Sequence, residues 1–223
     1  GRLAEAVEYY LATIEVTRLA GLGTAEARCL VNLALAHAGL AREREARRCL
    51  RDALRIGEVA PATVARAVQA LGELQLGLGR HQAARRLFQQ ALLRYRALND
   101  RTREADVLSD LAVAHRKIGR YPAAIELHQQ ALVILARMSA PMFELGARNA
   151  YGRTLLEHGD RPAALAEHQQ ALELARRTGQ RFDEANALVA LADCLPAAEA
   201  DDHRLRAGQI LSGLGLPQVA CWT

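Results

Sequence analysis

The sequence repeats itself at intervals of about 40 residues, and this period constrains the fold more than any other feature. Three segments align without a gap: LGRHQAARRLFQQAL from Leu78, IGRYPAAIELHQQAL from Ile118 and HGDRPAALAEHQQAL from His158. Related segments begin at Ala41 and at Gly1. A chain that repeats a unit of this length folds as an array, because one unit cannot bury its apolar face without packing against its neighbours.

Small residues recur at fixed positions of every unit. One series consists of Ala6, Ala46, Ala84, Ala124 and Ala164. A second series lies in the amphipathic stretches between these segments: Ala34, Gly72, Ala112, Gly152 and Ala192. A small side chain lets two helix axes approach to roughly 8 to 10 Å. The two series therefore predict a pair of crossing helices, A and then B, in each unit.

The composition supports helices rather than strands. The 223 residues include 45 Ala and 36 Leu, whereas aromatic residues make up 4%. Alanine and leucine favour helices, and the β-branched and aromatic residues that sheets prefer are scarce. We therefore predict an all-α fold with about ten to eleven helices.

The ladder of small residues, with Leu and Gly in helix A and Ala-Leu in helix B, resembles the tetratricopeptide repeat, and its period resembles the long-helix members of that family. The resemblance implies a solenoid of helical hairpins in a right-handed superhelix, with helix A lining the concave surface. We predict a single solenoid domain over 1–217, with helix B of a truncated repeat at 1–20, repeats at 24–57, 61–98, 101–138 and 141–178, a degenerate capping repeat at 181–214, and a tail at 215–223.

The Arg- and Ala-rich repeats, such as GRYPAAIELHQQAL, also resemble the C-terminal repeats of SARP-type antibiotic regulators of actinomycetes. That resemblance implies a non-enzymatic interaction and regulatory module, the signal-receiving or autoinhibitory part of a larger bacterial transcriptional regulator of SARP or STAND type. The chain begins in mid-repeat, which we interpret as the sign of a fragment. A stand-alone scaffold or adaptor that binds partner peptides is the alternative.

Signatures of catalysis are not found, since the sequence contains no P-loop, HExxH, GxSxG or GxGxxG motif. Cys29, Cys49, Cys194 and Cys221 stand far apart, without metal-ligand spacing, which fits a reducing cytoplasm. We predict no catalytic residue, cofactor or metal. The longest charge-free interior run, 13 residues from Cys29 to Ala41, is too short to span a bilayer. A cytoplasmic protein without a membrane partner is expected.

Polar residues on the predicted concave face of helix A are candidates for contact with a protein or peptide. They are Arg28, Asn32, Arg66, Gln69, Glu73, Asp106, Ser109, Asp110, Arg116, Asn149, Arg153 and Asn186. The series is basic at its start, acidic at Asp106 and Asp110, and basic again afterwards. Such mixed charge suits a polypeptide that carries both signs. An ordinary solvated helix face is the alternative.

A stripe of arginines marks the B helices, which the family places on the convex side. It consists of Arg44, Arg47, Arg48, Arg51, Arg55, Arg85 and Arg86. The first five fall within an arc of about 100° on a helix. The stripe can dock an acidic domain or a phosphate backbone, or it can be a solubilising face offset by Glu43, Glu45 and Asp52. Helices packed side by side cannot enter a groove of DNA, so we expect no sequence-specific binding of nucleic acid.

Four histidines recur at equivalent positions. His37 and His115 share a position in helix A, and His128 and His168 share one in helix B. The repeat family places Tyr or Phe at these sites. We interpret the histidines as packing residues, with a role in sensing pH as the alternative.

Overall fold

The computed structural model describes residues 2–57 and 59–216, and these residues form eleven α-helices without any strand. The helices are α1 (Arg2–Leu19), α2 (Gly23–Gly39), α3 (Glu43–Arg55), α4 (Pro61–Gly77), α5 (His81–Ala97), α6 (Arg101–Lys117), α7 (Tyr121–Met138), α8 (Pro141–His158), α9 (Arg161–Thr178), α10 (Arg181–Cys194) and α11 (Ala197–Gly213). The predicted all-helical fold is confirmed. Gly1 and residues 217–223 of the predicted tail lie outside the described residues.

The chain divides into two compact units, and the first is Gly1–Ala114. In this unit α2 packs on α3 and α4 packs on α5, so that each pair forms a hairpin. The first helices of the two hairpins, α2 and α4, also contact each other. In the predicted repeats 24–57 and 61–98, helix A and helix B therefore pack as the small-residue series requires.

The second unit, His115–Thr223, contains two further hairpins, α8 with α9 and α10 with α11. Helix α10 has 14 residues, whereas α8 has 18. It ends at Cys194 because Leu195 is extended and Pro196, which follows at once, cannot continue the hydrogen-bond ladder. The segment DCLP at residues 193–196 predicts this early break, because proline cannot continue a helix, and the end of α10 at Cys194 confirms it. The predicted single domain and its right-handed superhelix remain predictions.

The small residues lie where helices cross. Ala84, Ala124 and Ala164 are fully buried. A Cβ atom added at Gly72 would lie 2.5 Å from the ring of Phe88, and one at Gly152 would lie 2.5 Å from the ring of His168. The glycines thus make room for a buried ring of helix B, and this contact holds the two helices of a hairpin in register.

The turns from helix A to helix B need a residue in the left-handed conformation. Gly79 and Gly119 supply it with φ angles of 70° and 77°. In the first hairpin Ala41 takes the same place at a φ of 57°. Glycine accepts this backbone without steric cost, whereas alanine does not. The turn therefore keeps the same left-handed conformation in the first hairpin, where alanine takes the place of glycine.

Candidate functional site

Gln69 of α4 is the centre of a polar network in the first unit. The residue is 1% exposed, and its side chain makes three of the four hydrogen bonds that a glutamine amide can form. The amide nitrogen donates to Oδ2 of Asp106 at 3.0 Å and to Oδ2 of Asp110 at 2.8 Å. The amide oxygen accepts from the hydroxyl of Tyr95 at 3.2 Å. Because ionised carboxylates only accept hydrogen bonds, they fix the orientation of the amide.

Two arginines complete this network from the same A helices. Arg66 NH1 donates to Oε1 of Glu73 at 2.7 Å, seven residues further along α4. Arg103 NH1 donates to Oδ2 of Asp106 at 3.2 Å within α6. The two helices thus present both signs of charge at fixed positions. We call Arg66, Gln69, Glu73, Tyr95, Arg103, Asp106 and Asp110 the α4–α6 network.

The network perturbs its own titratable groups. Burial raises the pKa of Asp110 well above its usual range, and the carboxylates of Asp106 and Glu73 raise it further. Burial also raises the pKa of Tyr95 to about 12. Burial lowers the pKa of Arg66, but the adjacent Glu73 outweighs it, so the pKa ends above its ordinary value. A proton or a nearby cation therefore stabilises the Asp110 side chain in the folded protein.

We expect Asp110→Asn to raise the free energy of unfolding at pH 7.5 by roughly 1 kcal/mol. A carboxyl group whose pKa is raised on folding binds its proton more tightly in the folded protein than in the unfolded chain. The free energy of unfolding therefore falls as the pH rises from the unfolded pKa to the folded pKa of this group. The advantage of the variant should therefore shrink as the pH falls towards 4. Urea unfolding across this range measures it, with Asp52→Asn on α3 as the control. A difference that does not change with pH would contradict this assignment.

The second unit holds separate polar contacts on its helix A positions. Arg116, which is 7% exposed, forms an ion pair with Glu157. Oδ1 of Asn149 lies 3.4 Å from Nδ1 of His168. Arg148, which the sequence did not single out, bonds to Glu144 and to Glu167, each at 2.8 Å. The contacts of Asn149 with His168 and of Arg148 with Glu167 join α8 to α9.

The two histidines of the B helices are packing residues. His128 and His168 are both fully buried. Burial and then the Arg116 guanidinium lower the pKa of His128 to about 3. Burial and then Arg153 lower the pKa of His168 to about 4. Both rings are therefore neutral at physiological pH, and the packing interpretation is confirmed for this pair.

Exposure separates the predicted contact residues into three groups. Arg28 and Arg153 are exposed. Half-buried are Asn32, Arg66, Glu73, Asp106, Asp110, Asn149 and Asn186. The expectation of an exposed side chain is corrected for Gln69, Ser109 and Arg116, which are buried. Gln69 and Arg116 turn inward because each finds carboxylate partners, so they shape a surface more than they offer contact area.

The arginine stripe lies on the surface with some of its charge already paired. Arg44, Arg48, Arg51, Arg55 and Arg86 are exposed, and Arg47 and Arg85 are half-buried. Arg47 bonds to Glu43 at 2.5 Å, and Arg48 lies 3.7 Å from Asp52. These pairs were foreseen as the solubilising alternative. Surface pairs of this kind contribute about 0 to 1 kcal/mol each, so they leave the stripe available for docking.

Other kinds of site find no support in the part of the chain that the structure describes. No group of three or more His, Cys, Asp or Glu residues in it is arranged to hold a metal ion. None of its helices combines the length and the apolar character that crossing a bilayer requires. Cys29, Cys49 and Cys194 are free thiols, and Cys221 lies outside the described residues.

Stacked hairpins with small residues at the crossings define a helical-repeat protein. The family models agree with this class: residues 27–60 and residues 63–136 match models of the tetratricopeptide repeat. Over these segments the chain is similar to tetratricopeptide repeat proteins. A comparison with curated proteins gives no match.

Solved structures share this fold. BtubC (BKLC) from P. vanneervenii is 19% identical, with a TM-score of 0.75 over 96% of this chain and 93% of that chain. A STAND protein with a tetratricopeptide repeat sensor, PH0952 from Pyrococcus horikoshii, is 16% identical, with a TM-score of 0.68 over 82% of this chain and 29% of that chain. PlcR from Bacillus thuringiensis, in complex with the peptide PapR7 and DNA, is 16% identical, with a TM-score of 0.64 over 85% of this chain and 70% of that chain.

Proposed function

We propose that this chain is a non-enzymatic protein-interaction and regulatory module whose A helices contact a protein or peptide segment. The observation that carries the proposal is the α4–α6 network. It holds two arginines, three carboxylates and an amide in fixed positions on adjacent A helices. A surface that is ordered before binding loses less conformational entropy when a partner docks.

The fold supports a polypeptide partner. A repeat array presents an extended surface rather than a closed pocket, and such surfaces suit chains. PlcR, which shares the fold, is described in complex with the peptide PapR7. For the present chain, the mixed charges of the network favour a segment that carries both acidic and basic side chains.

The finer proposal is that the module receives a signal, or holds a larger protein inactive, in a cytoplasmic bacterial transcriptional regulator of SARP or STAND type. Two observations support it: the resemblance of the repeats to SARP-type regulators, and the fold shared with a STAND protein that carries a tetratricopeptide repeat sensor. In that STAND protein the similar part is 29% of the chain.

A stand-alone adaptor is the second candidate. One observation favours it: the fold matches BtubC over 93% of the length of that chain. On both proposals the arginine stripe docks an acidic protein surface, and sequence-specific reading of DNA is not a property of these residues. The two candidates differ in whether the docked polypeptide is encoded in the same gene.

Photo-crosslinking tests the proposed binding face. A benzoylphenylalanine introduced at Arg28 or at Arg153, both exposed on A helices, should capture one polypeptide from an extract of the source organism. The same residue introduced at Gln90, which is exposed on helix B and outside the arginine stripe, is the control and should not capture it. Arg153→Glu should then weaken binding of the captured polypeptide about tenfold, the effect of roughly one lost charge-assisted hydrogen bond.

The outcome separates the hypotheses. Capture from Gln90 alone would place the contact on the B helices and contradict the proposed face. Reversal of Asp106 or Asp110 is a poorer test, because it also removes a hydrogen bond from Gln69 and so disturbs the fold. A captured segment from the same gene supports the regulator, and one from another gene supports the adaptor.

A further inference from the structure

A cavity of about 350 Å³ lies among α2, α3 and α4 in the first unit. Ten of its twelve lining residues are Ala, Leu or Gly. The remaining two are Glu43 from α3 and Glu73 from α4. The volume falls at the lower end of the roughly 300 to 1,000 Å³ that is typical of small-molecule pockets, and such pockets combine an apolar lining with a few polar groups.

The cavity exists because this hairpin has smaller residues than the next one. Leu50 occupies the helix B position that Phe88 occupies in α5. Phe88 fills its own crossing so closely that a Cβ atom at Gly72 would lie 2.5 Å from it. In the first hairpin the corresponding pair is Leu50 and Ala34, and both line the cavity. No ring takes up the space, which is left to a ligand.

The polar groups of the cavity are negative, and each retains an unused oxygen. Arg66 occupies Oε1 of Glu73 at 2.7 Å, and Arg47 occupies Oε1 of Glu43 at 2.5 Å. Arg80 lies 4.0 Å from that same Oε1 of Glu43. Among the described residues none donates to Oε2 of either glutamate. No basic residue belongs to the lining. Apolar walls with free carboxylate oxygens are complementary to an apolar body that carries a cation.

We propose that this cavity is a binding site for a small amphiphilic organic cation, with an aromatic or branched alkyl body among the Ala and Leu side chains and an ammonium group on Glu73. The proposal goes beyond the contact of the A helices with a polypeptide, because it assigns the module a small-molecule effector. An ammonium group in this position forms a charge-assisted hydrogen bond in a partly buried site, where such bonds are strongest.

Glu73 connects the cavity to the α4–α6 network. Its carboxylate is one of the two that raise the pKa of Asp110. A cation bound to Glu73 offsets that repulsion, and it also competes with Arg66 for the carboxylate. Ligand binding therefore changes the electrostatics of the face that we propose for the partner.

Three matched probes test the site on the full chain: 4-phenylbutylamine, 4-phenylbutanol and 4-phenylbutyrate. They share an apolar body and differ in charge. Titration is followed by NMR of ¹³C-labelled alanine and leucine methyl groups, which report on Ala38, Ala70 and Leu74 of the lining. The amine should shift these methyls and bind about tenfold more tightly than the alcohol, and the carboxylate should not bind.

Two substitutions with matched controls make the test specific. Ala38→Phe places a ring at the exposed edge of the cavity and should abolish binding of the amine, whereas Ala62→Phe, at an exposed position outside the lining, should not. Glu73→Gln should reduce the affinity for the amine to that for the alcohol and leave the alcohol unchanged. Glu144→Gln in the second unit should change neither affinity.

Three results would overturn the proposal. The first is the absence of methyl shifts with the amine up to its solubility limit. The second is equal binding of the amine and the carboxylate. The third is unchanged binding of the amine by Ala38→Phe. A loss of alcohol binding in Glu73→Gln would show that this variant distorts the cavity, and Ala38→Phe would then decide the question.

Discussion

Replacing Gln69 by glutamate is expected to lower the free energy of unfolding at pH 7 by about 3 to 5 kcal/mol, the cost of a buried charge without a partner. The new carboxylate would stand 3.0 Å from Asp106 and 2.8 Å from Asp110, where the amide nitrogen donates now. Both hydrogen bonds would become repulsive contacts between like charges. The hydroxyl of Tyr95 is a donor that such a carboxylate would keep.

Urea unfolding followed by circular dichroism measures this effect, with Gln129→Glu as the control. Gln129 is exposed and donates to the hydroxyl of Tyr151, so its replacement should change stability by less than about 0.5 kcal/mol. Protonation of the new carboxyl restores a donor, so the loss in Gln69→Glu should shrink as the pH falls to 5 and below. Adding Asp110→Asn should recover part of the loss at pH 7, since an amide can donate to Glu at position 69. Equal stability of Gln69→Glu and Gln129→Glu would mean that the network is not buried.

The fold was predictable from the sequence because the small residues that recur in every unit mark the positions where the helices pack. A position such as Ala84 or Ala124 is held small in every unit by the helix that crosses it, so the period alone reveals a pair of helices. The break before Pro196 was predictable because proline cannot continue a helix. Ala41 shows where such prediction weakens, because its left-handed backbone is imposed by the surrounding turn rather than by the residue.

The candidate site was predictable only in part. The helical phase of the repeats placed Gln69, Asp106 and Asp110 on the same predicted face of the A helices. Phase alone does not show whether a polar side chain points towards solvent or towards a hydrogen-bond partner within the protein. The sequence did not indicate Tyr95 as a member of the network, because this residue lies in helix B, 26 residues from Gln69. Its hydroxyl reaches the amide of Gln69 from α5 rather than from an A helix. The signal was available: a phenol at a buried position usually has a hydrogen-bond partner.

The cavity could not be predicted from the sequence, because it arises where the side chains are too small to fill the space between the helices. Ala34 and Leu50 follow the repeat pattern as well as Gly72 and Phe88 do. The repeat pattern does not fix the combined volume of the two side chains that meet at a crossing. The space left between the helices also depends on the third helix, α4. The repeats therefore differ from one another in the pairs of residues that meet where their helices cross.

That pairing gives the second large prediction, which concerns Gly72→Ala. The added Cβ atom would lie 2.5 Å from Cε1 of Phe88, whose side chain is fully buried, so the ring or the helix would have to shift. We expect a loss of about 1 to 3 kcal/mol in the free energy of unfolding. Alanine otherwise favours a helix over glycine by roughly 1 kcal/mol, so Gly146→Ala, where no atom lies within 4 Å, should stabilise the protein instead.

A double-mutant cycle with Phe88→Leu identifies the cause. Phe88→Leu alone leaves space at the crossing and should cost roughly 1 to 2 kcal/mol. Together the two substitutions recreate the Ala34 and Leu50 pair of the preceding hairpin, so the double variant should be more stable than the sum of the single losses predicts, with a coupling of about 0.5 to 3 kcal/mol. Thermal and urea unfolding of the four proteins measure this coupling. Additive losses would show that the cost of Gly72→Ala does not come from the ring of Phe88, and the crossing pair would then not be the element that sets the spacing of the hairpin.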